Sequence, residues 1–295
     1  MTFRGWLKNI RSGGLLSYEM NSETAGILSS DLGHVPSRGS GGEIQANRSE
    51  DAGDLDEPWK ESALAEFAQR TEYATAEPFP HIVIDNLFRA KCLAQVLQEW
   101  PQLDTGRLIH HNDGTYSRDK YASTQHTRYG PGTRSLLRYL GEPVFLEVLE
   151  KVTGILGLIP DPYLRGGGLH FTRAGGKLAV HADFNKHFKY QLDRRLNLIV
   201  YLNHGWTDAN RGWLELWDRK MTGFVKRILP MFNRTVVFST TDFSYHGQPE
   251  PIEGPPDLFR KSIALYYYSN GRPQEEIAQR DPGATLWQKR PDLGY

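Results

Sequence analysis

From Gly166 to Tyr268 the chain is a succession of short apolar runs broken at close intervals by Gly, Pro, Asn and Asp. The clearest cover 168–172, 178–181, 195–202, 213–217, 235–239 and 262–268. Many short strands with turn signals between them predict a β-sandwich or barrel. Two runs show which way they face. In RRLNLIVYLN, Leu196, Leu198, Val200 and Leu202 are all apolar, while the intervening Arg195, Asn197, Ile199 and Tyr201 are mostly polar or amphipathic. In FRKSIALYYY, Arg260, Ser262, Ala264, Tyr266 and Tyr268 share one face, and Ile263, Leu265 and Tyr267 the other. Side chains alternate across a strand, so each run has a core face and a polar face. The polar face meets either bulk solvent or a lumen holding a polar ligand. The tyrosines favour a lumen, because their rings gain from burial while their hydroxyls need partners.

Upstream, the pattern is helical. Trp59, Leu64 and Phe67 predict a helix within 58–72, followed by a strand at His81–Ile84 and a helix from Phe88 to Trp100, closed by Pro101, in which Cys92 packs beside Leu93. Two more helices are expected at Thr133–Leu140 and Pro143–Val152. Residues 110–130, HHNDGTYSRDKYASTQHTRYG, read as a long exposed loop. The whole is α+β: one domain over 57–275, with helical support at 57–165 and a β core at 166–270, then a C-terminal extension, 276–295. Residues 12–56 are rich in Gly, Ser, Asn and Asp and cannot bury enough surface to offset their ordering entropy, so a disordered tail, 1–56, is expected. At its start Phe3, Trp6, Leu7 and Ile10 fall at helical spacing among Arg4, Lys8 and Arg11. That start reads either as a helix for peripheral docking on a membrane or partner, or as a frayed terminus.

Composition removes several function classes. Thirty-five Lys and Arg balance thirty-five Asp and Glu, so no global field draws in nucleic acid or an anionic membrane. No apolar run is long enough to span a bilayer or to form a signal-peptide core. The single cysteine, Cys92, excludes an intrachain disulfide and a cysteine-rich zinc site, and the expected setting is the cytoplasm.

The chemistry lies in HADFN. His181 and Asp183 stand at i and i+2; if the strand extends that far, both point the same way with roots about 7 Å apart, the reach to grip one metal ion from two corners. His246, after the strand RTVVFSTTD, is the best third ligand. Two histidines and a carboxylate without cysteine form the facial triad suited to non-haem Fe(II), leaving positions for a chelating co-substrate and dioxygen. A 2-oxo acid also needs its far carboxylate neutralised, which a guanidinium fork does well. Arg260, fourteen residues past His246, opens a strand with Ser262 on the same face, and Tyr201 can add a hydroxyl. His34, His81, His110, His111, His126 and His187 read as solvated or satisfied histidines. Gly175-Gly176-Lys177 lacks the spacing of a phosphate loop.

Taken in order, HADFN, RRLNLIVYLN, RGWLELW, FSTTDFSYHGQP and FRKSIALYYY resemble the prolyl-4-hydroxylase-like branch of the 2-oxoglutarate/Fe(II) oxygenases, over roughly 78–270. The resemblance implies a double-stranded β-helix (jelly-roll) core with N-terminal supporting helices. By position it makes His181, Asp183 and His246 the iron ligands. It sets Arg260, Ser262, Tyr201, Tyr266 and Asn197 around the co-substrate, and it implies Fe(II), 2-oxoglutarate, dioxygen and stimulation by ascorbate. Phe171 stands where some relatives carry a tyrosine, and Trp213 where a second glycine is usual, which sets an indole near the pocket mouth. The implied reaction couples decarboxylation of 2-oxoglutarate to succinate and carbon dioxide with hydroxylation of a C–H bond; desaturation, ring closure and a non-catalytic jelly-roll binding module are the alternatives. Asp183 speaks against halogenation, since halogenating relatives replace that carboxylate. The substrate is a peptidyl, amino-acid or small-metabolite compound, expected to meet Tyr116, Arg118, Lys120, Tyr121 and Arg128 in the 110–130 segment and Arg173 beside HADFN; Lys177 and His187 are weaker candidates.

Overall fold

The computed structural model of the chain describes residues 57–103, 108–123, 125–277 and 284–295; the expected tail and its amphipathic start lie outside the described residues, as do His34 and the His126 side chain. The described residues include four α-helices, α1 (Glu61–Phe67), α2 (Ala90–Gln98), α3 (Pro131–Tyr139) and α4 (Pro143–Thr153); the first two fall within the predicted stretches, α3 starts two residues early and α4 ends one residue late. The first two are shorter than their patterns. Trp59 and Phe88, both read as helical, pair with each other as an isolated β-bridge, so their backbones are extended. Prolines begin α3 and α4, where the missing N–H costs nothing, and Gly154 ends α4 in the left-handed conformation (φ 72°).

Helix α3 takes its N-terminal cap from another helix. Glu99, just past α2, accepts hydrogen bonds from the amides of Gly132 (2.9 Å) and Thr133 (2.7 Å) and from Thr133 Oγ1 (2.6 Å). A Cβ on Gly130 would collide with the Glu99 carboxyl, which explains the glycine. Burial pushes the Glu99 pKa up, but the bonds from Thr133, Gln95 and Gly132 outweigh it and hold the carboxyl below its ordinary value. Glu99→Ala is therefore expected to cost about 1–2 kcal/mol in denaturant titration. A lowered carboxyl stabilises the fold above its unfolded pKa and ceases to as pH falls through the folded value, so the deficit should shrink in acid. A deficit unchanged from about pH 7 to pH 3 would show that the carboxylate charge contributes nothing to the cap.

The strands are β1 (His81–Asp85), β2 (Ile109–His111), β3 (Ser117–Ser123), β4 (Ile159–Pro160), β5 (Gly168–Ala182), β6 (Asp193–Tyr201), β7 (Leu214–Trp217), β8 (Phe224–Ile228), β9 (Arg234–Ser239), β10 (His246–Gln248), β11 (Phe259–Ser269) and β12 (Leu286–Trp287). They form one curled antiparallel sheet of order β1-β9-β6-β11-β5-β10-β7-β8, a jelly-roll half-barrel. Two corrections to the sequence reading matter for the site. The runs 168–172 and 178–181 are one strand of 15 residues, β5. Its first half pairs with β11 and its second with β10, while β3 runs beside both halves, so β5 turns the corner between the two parts of the sheet, with Gly175 at φ 83°. The 110–130 segment is not an exposed loop. Its residues 109–111 and 117–123 form a hairpin, β2–β3, that joins the sheet beside β5. Its polar residues hid a strand because the face they occupy is a polar lumen rather than a core.

The outer face of β11 is covered by the helices. Ile263, Leu265 and Tyr267 are buried, and Tyr267 donates to the carbonyl of Leu140 at the end of α3 (2.9 Å). Trp59 stacks on Phe145 of α4 at 5.6 Å. On the inner side, Phe79, Tyr201, Leu214, Leu216, Ile228, Val236 and Phe238 form an apolar plug. The lumen beyond that plug stays open.

Candidate metal centre

His181 near the end of β5 and His246 opening β10 are direct cross-strand partners, which brings their ring centroids to 4.6 Å. Asp183 follows β5 by one residue. The three side chains offer ligand atoms that all lie within 4.8 Å of one another, and both histidines are buried. Each imidazole is oriented from behind: Nδ1 of His181 lies 2.8 Å from the carbonyl of Ala179, and Nδ1 of His246 lies 2.9 Å from that of Ser244. A carbonyl only accepts, so Nδ1 carries the proton and the Nε2 lone pair faces the cluster. Burial, and then His246, lowers the His181 pKa, which keeps that ring neutral and able to ligate.

Asp183 is held as an anion. Oδ2 accepts from Arg194 (2.9 Å) and Asn197 (2.7 Å), and Arg194 Nε also bonds Asn197 Oδ1 (2.9 Å). Burial alone would raise the Asp183 pKa, but Arg194 and the two imidazoles outweigh it and hold the carboxyl well below the usual carboxylate range. Two neutral imidazoles and one fixed carboxylate suit an intermediate divalent cation such as Fe(II).

Arg194 is the main residue the sequence reading missed. Alternation placed Arg195 in the lumen, but a bulge intervenes: Tyr267 pairs with Leu196, and Tyr268 with Arg194, so Arg195 is the extra residue. The parity flips there. Arg194, fully buried, turns to Asp183 and lies under the Tyr266 ring at 3.3 Å. Arg195 points away, to Ser269, Gly271 and Glu276. Paired arginines at a strand start gave no signal of the bulge.

Past the metal cluster, Asn197, Ile199, Arg260, Ser262, Ala264 and Tyr266 line the inner cavity with His170, Thr172 and Lys120. Arg260 is clamped: Nε donates to the carbonyl of Gly212 (2.7 Å) and Nη2 to the Tyr201 hydroxyl (3.1 Å). Tyr266 donates to the carbonyl of Gly166 (2.7 Å). Burial lowers the Lys120 pKa to about 8 and that of His170 to about 3, and His170 Nε2 is buried without a partner.

The cavity opens into an outer vestibule of about 810 Å³, walled by His110, His111, Arg165, Phe184, Tyr266 and Trp287 among others. Trp287, from the C-terminal segment, lies against His181 at 4.9 Å and stacks on Tyr116 at 5.1 Å. Of the residues expected at the mouth, Lys120 alone lines these spaces. Arg118 bonds the carbonyl of Gly175 (2.9 Å), Arg173 that of Pro256 (2.8 Å), Tyr121 stacks between His110 and Phe171, and Arg128 is exposed on a 3-10 turn. Trp213 does not crowd the mouth: its indole donates to Asp208 (2.7 Å) and lies under Arg227. His187 is satisfied, accepting from the amides of Lys189 and Tyr190. It sits in the 184–192 segment, which is clasped at its base by the Arg194 amide on the carbonyl of Asn185 (2.8 Å) and carries exposed Phe188 and Tyr190.

The fold is a jelly-roll in which two imidazoles on paired strands and a carboxylate just past one of them could hold a single metal ion. Residues 167–268 match the model of the 2OG-Fe(II) oxygenase superfamily, and that match together with the His-Asp-His site supports an oxygenase that uses Fe(II) and 2-oxoglutarate. Among solved structures, a prolyl hydroxylase from Trichoplax adhaerens, in complex with a hypoxia inducible factor oxygen degradation domain peptide fragment, has the same fold. It is 18% identical, with 70% of this chain and 91% of that one covered and a TM-score of 0.51. A Pseudomonas putida prolyl-4-hydroxylase is 14% identical, covering 71% of this chain and 98% of that one with a TM-score of 0.46. HygX from Streptomyces hygroscopicus, with nickel, 2-oxoglutarate and hygromycin B bound, is 11% identical, covering 79% and 99% with a TM-score of 0.46. No curated protein matches the chain. Among the described residues, no helix is long and apolar enough to cross a membrane.

Proposed function

We propose that the chain hydroxylates a C–H bond of a peptidyl, amino-acid or small-metabolite substrate, with His181, Asp183 and His246 as the iron ligands. The observation that carries this reading is the convergence of those three side chains on a cavity whose lining also presents Arg260. Bound iron and 2-oxoglutarate supply the oxidising power for C–H cleavage, and dioxygen is the oxidant. The chain supplies placement. Ala179 and Ser244 fix the imidazole tautomers, and Arg194 and Asn197 hold the Asp183 carboxylate in one orientation. Arg260, locked by Gly212 and Tyr201, is positioned for the far carboxylate of 2-oxoglutarate, with Ser262 beside it. The substrate enters through the vestibule, where Trp287, Phe184 and Tyr266 give aromatic walls. The domain that carries this begins near residue 57, and a sequence with one cysteine suits a reducing compartment.

Anaerobic titration with Fe(II) and 2-oxoglutarate tests the reading through the weak visible charge-transfer band of a 2-oxo acid chelate. The wild type should show the band, and His181→Ala should abolish it. Arg260→Ala should weaken 2-oxoglutarate binding by about 30-fold or more, since charge-assisted hydrogen bonds are lost. A folded wild type without the band would sink the assignment of these ligands.

A further inference from the structure

Lys120 is an ammonium in an unusual place. It projects from β3 in the same cross-strand row as Thr172 of β5 and Arg260 of β11, since Lys120 pairs with Thr172 and Thr172 with Arg260. It lines both the inner cavity and the vestibule, at the seam where one opens into the other. No ion pair or side-chain hydrogen bond holds it among the described residues. The inner cavity offers it no free acid: Asp183 is the one carboxylate on that lining, and Arg194 and Asn197 already engage it. In the vestibule, Asp113 is spent on the amides of Thr115, Tyr116 and Ser117. Next to Thr172 on the lumen face stands His170, with its orphaned Nε2.

A half-buried cation with no ion pair of its own gains when an anion arrives. Arg194 already answers Asp183, and Arg260 answers one end of a dicarboxylate, so Lys120 is free to answer the other. Lys120 lines the vestibule together with His181 and Asp183, whereas Arg260 lines the inner cavity alone, so the ammonium stands toward the metal end. Building on the site assignment above, we propose that Lys120 is a second cationic anchor for the co-substrate, meeting the dianion at its metal-side carboxylate while Arg260 holds the far one. The two cations divide the work: Lys120 favours any 2-oxo acid over a neutral chelator, and Arg260 favours the dicarboxylate among 2-oxo acids.

The two anchors have different signatures. Anaerobic Fe(II) chelate titrations with 2-oxoglutarate and with 2-oxopentanoate, which lacks the far carboxylate, separate them. Lys120→Met should weaken both acids by about tenfold or more and leave their affinity ratio unchanged. Arg260→Leu should weaken 2-oxoglutarate alone and collapse that ratio. Lys120→Arg, which keeps the charge, should recover most of the binding. Affinities of Lys120→Met within twofold of wild type for both acids would overturn the proposal, as would a loss confined to 2-oxoglutarate, which would move Lys120 to the far carboxylate. A wild type that chelates neither acid would instead remove the underlying site assignment, so the two failures are distinguishable.

Discussion

Arg194→Met is expected to weaken metal binding by about 10–100-fold and to destabilise the fold by about 3–5 kcal/mol. Arg194 is wholly buried and is the guanidinium that faces Asp183, so its loss removes the main counter-charge of a carboxylate in a dry site, while Asn197 still donates to it and the two imidazoles remain as neighbours. The pH dependence follows from the sign of the shift. In the wild type the Asp183 carboxyl is held well below the usual range, so its contribution to stability is complete above the unfolded value and is lost only as pH falls through the lowered one. In Arg194→Met the carboxyl titrates higher, and metal binding should fail at a higher pH. Mn(II) affinity measured across pH, beside denaturant titration, checks both parts. Adding Asp183→Asn to Arg194→Met should restore much of the stability and none of the metal affinity, because it removes the stranded charge together with the ligand. If Arg194→Met bound Mn(II) with the wild-type pH profile, Arg194 would be a packing residue and no more.

Tyr267→Ala should be the most damaging substitution away from the site, at about 3–5 kcal/mol. Its side chain is fully buried between the sheet and the helices, and its hydroxyl caps the carbonyl of Leu140 where α3 ends. Tyr267→Phe keeps the ring and loses the bond, so about 1 kcal/mol is expected. Neither change should alter the chelate spectrum of the molecules that remain folded, because Tyr267 faces away from the lumen. Guanidinium titrations of the two variants separate packing from hydrogen bonding. Equal losses in both would mean that the Leu140 carbonyl, not the ring volume, dominates at this position.

The convergence of His181, Asp183 and His246 was legible because its information is local and ordered: an HxD after a strand, and a histidine after another. The polar face of β11 was legible for the same reason, since strict alternation from Arg260 to Tyr266 survives in the structure. Arg194 was not legible, because a bulge shifts parity by one residue and leaves no compositional trace. The hairpin that carries Lys120 was hidden for a different reason. Alternation identifies a strand when one face is apolar, and β3 puts Lys120 into a polar cavity and Arg118 on the surface, so both faces read as loop. Trp287 reaches His181 by a pairing more than a hundred residues long in sequence, which no local pattern announces.

The Asp183–Arg194 pair also divides the labour of change. Both residues sit at the mouth of the 184–192 segment, clamped by the strands on either side, while Phe184, Phe188 and Tyr190 ride on the segment itself. Descendants of this chain can lengthen, shorten or rewrite that stretch without moving the carboxylate or its counter-ion. Heritable variation in what the vestibule admits is thereby uncoupled from the iron chemistry beneath it, and a lineage can explore new substrates while its oxidising centre stays the same.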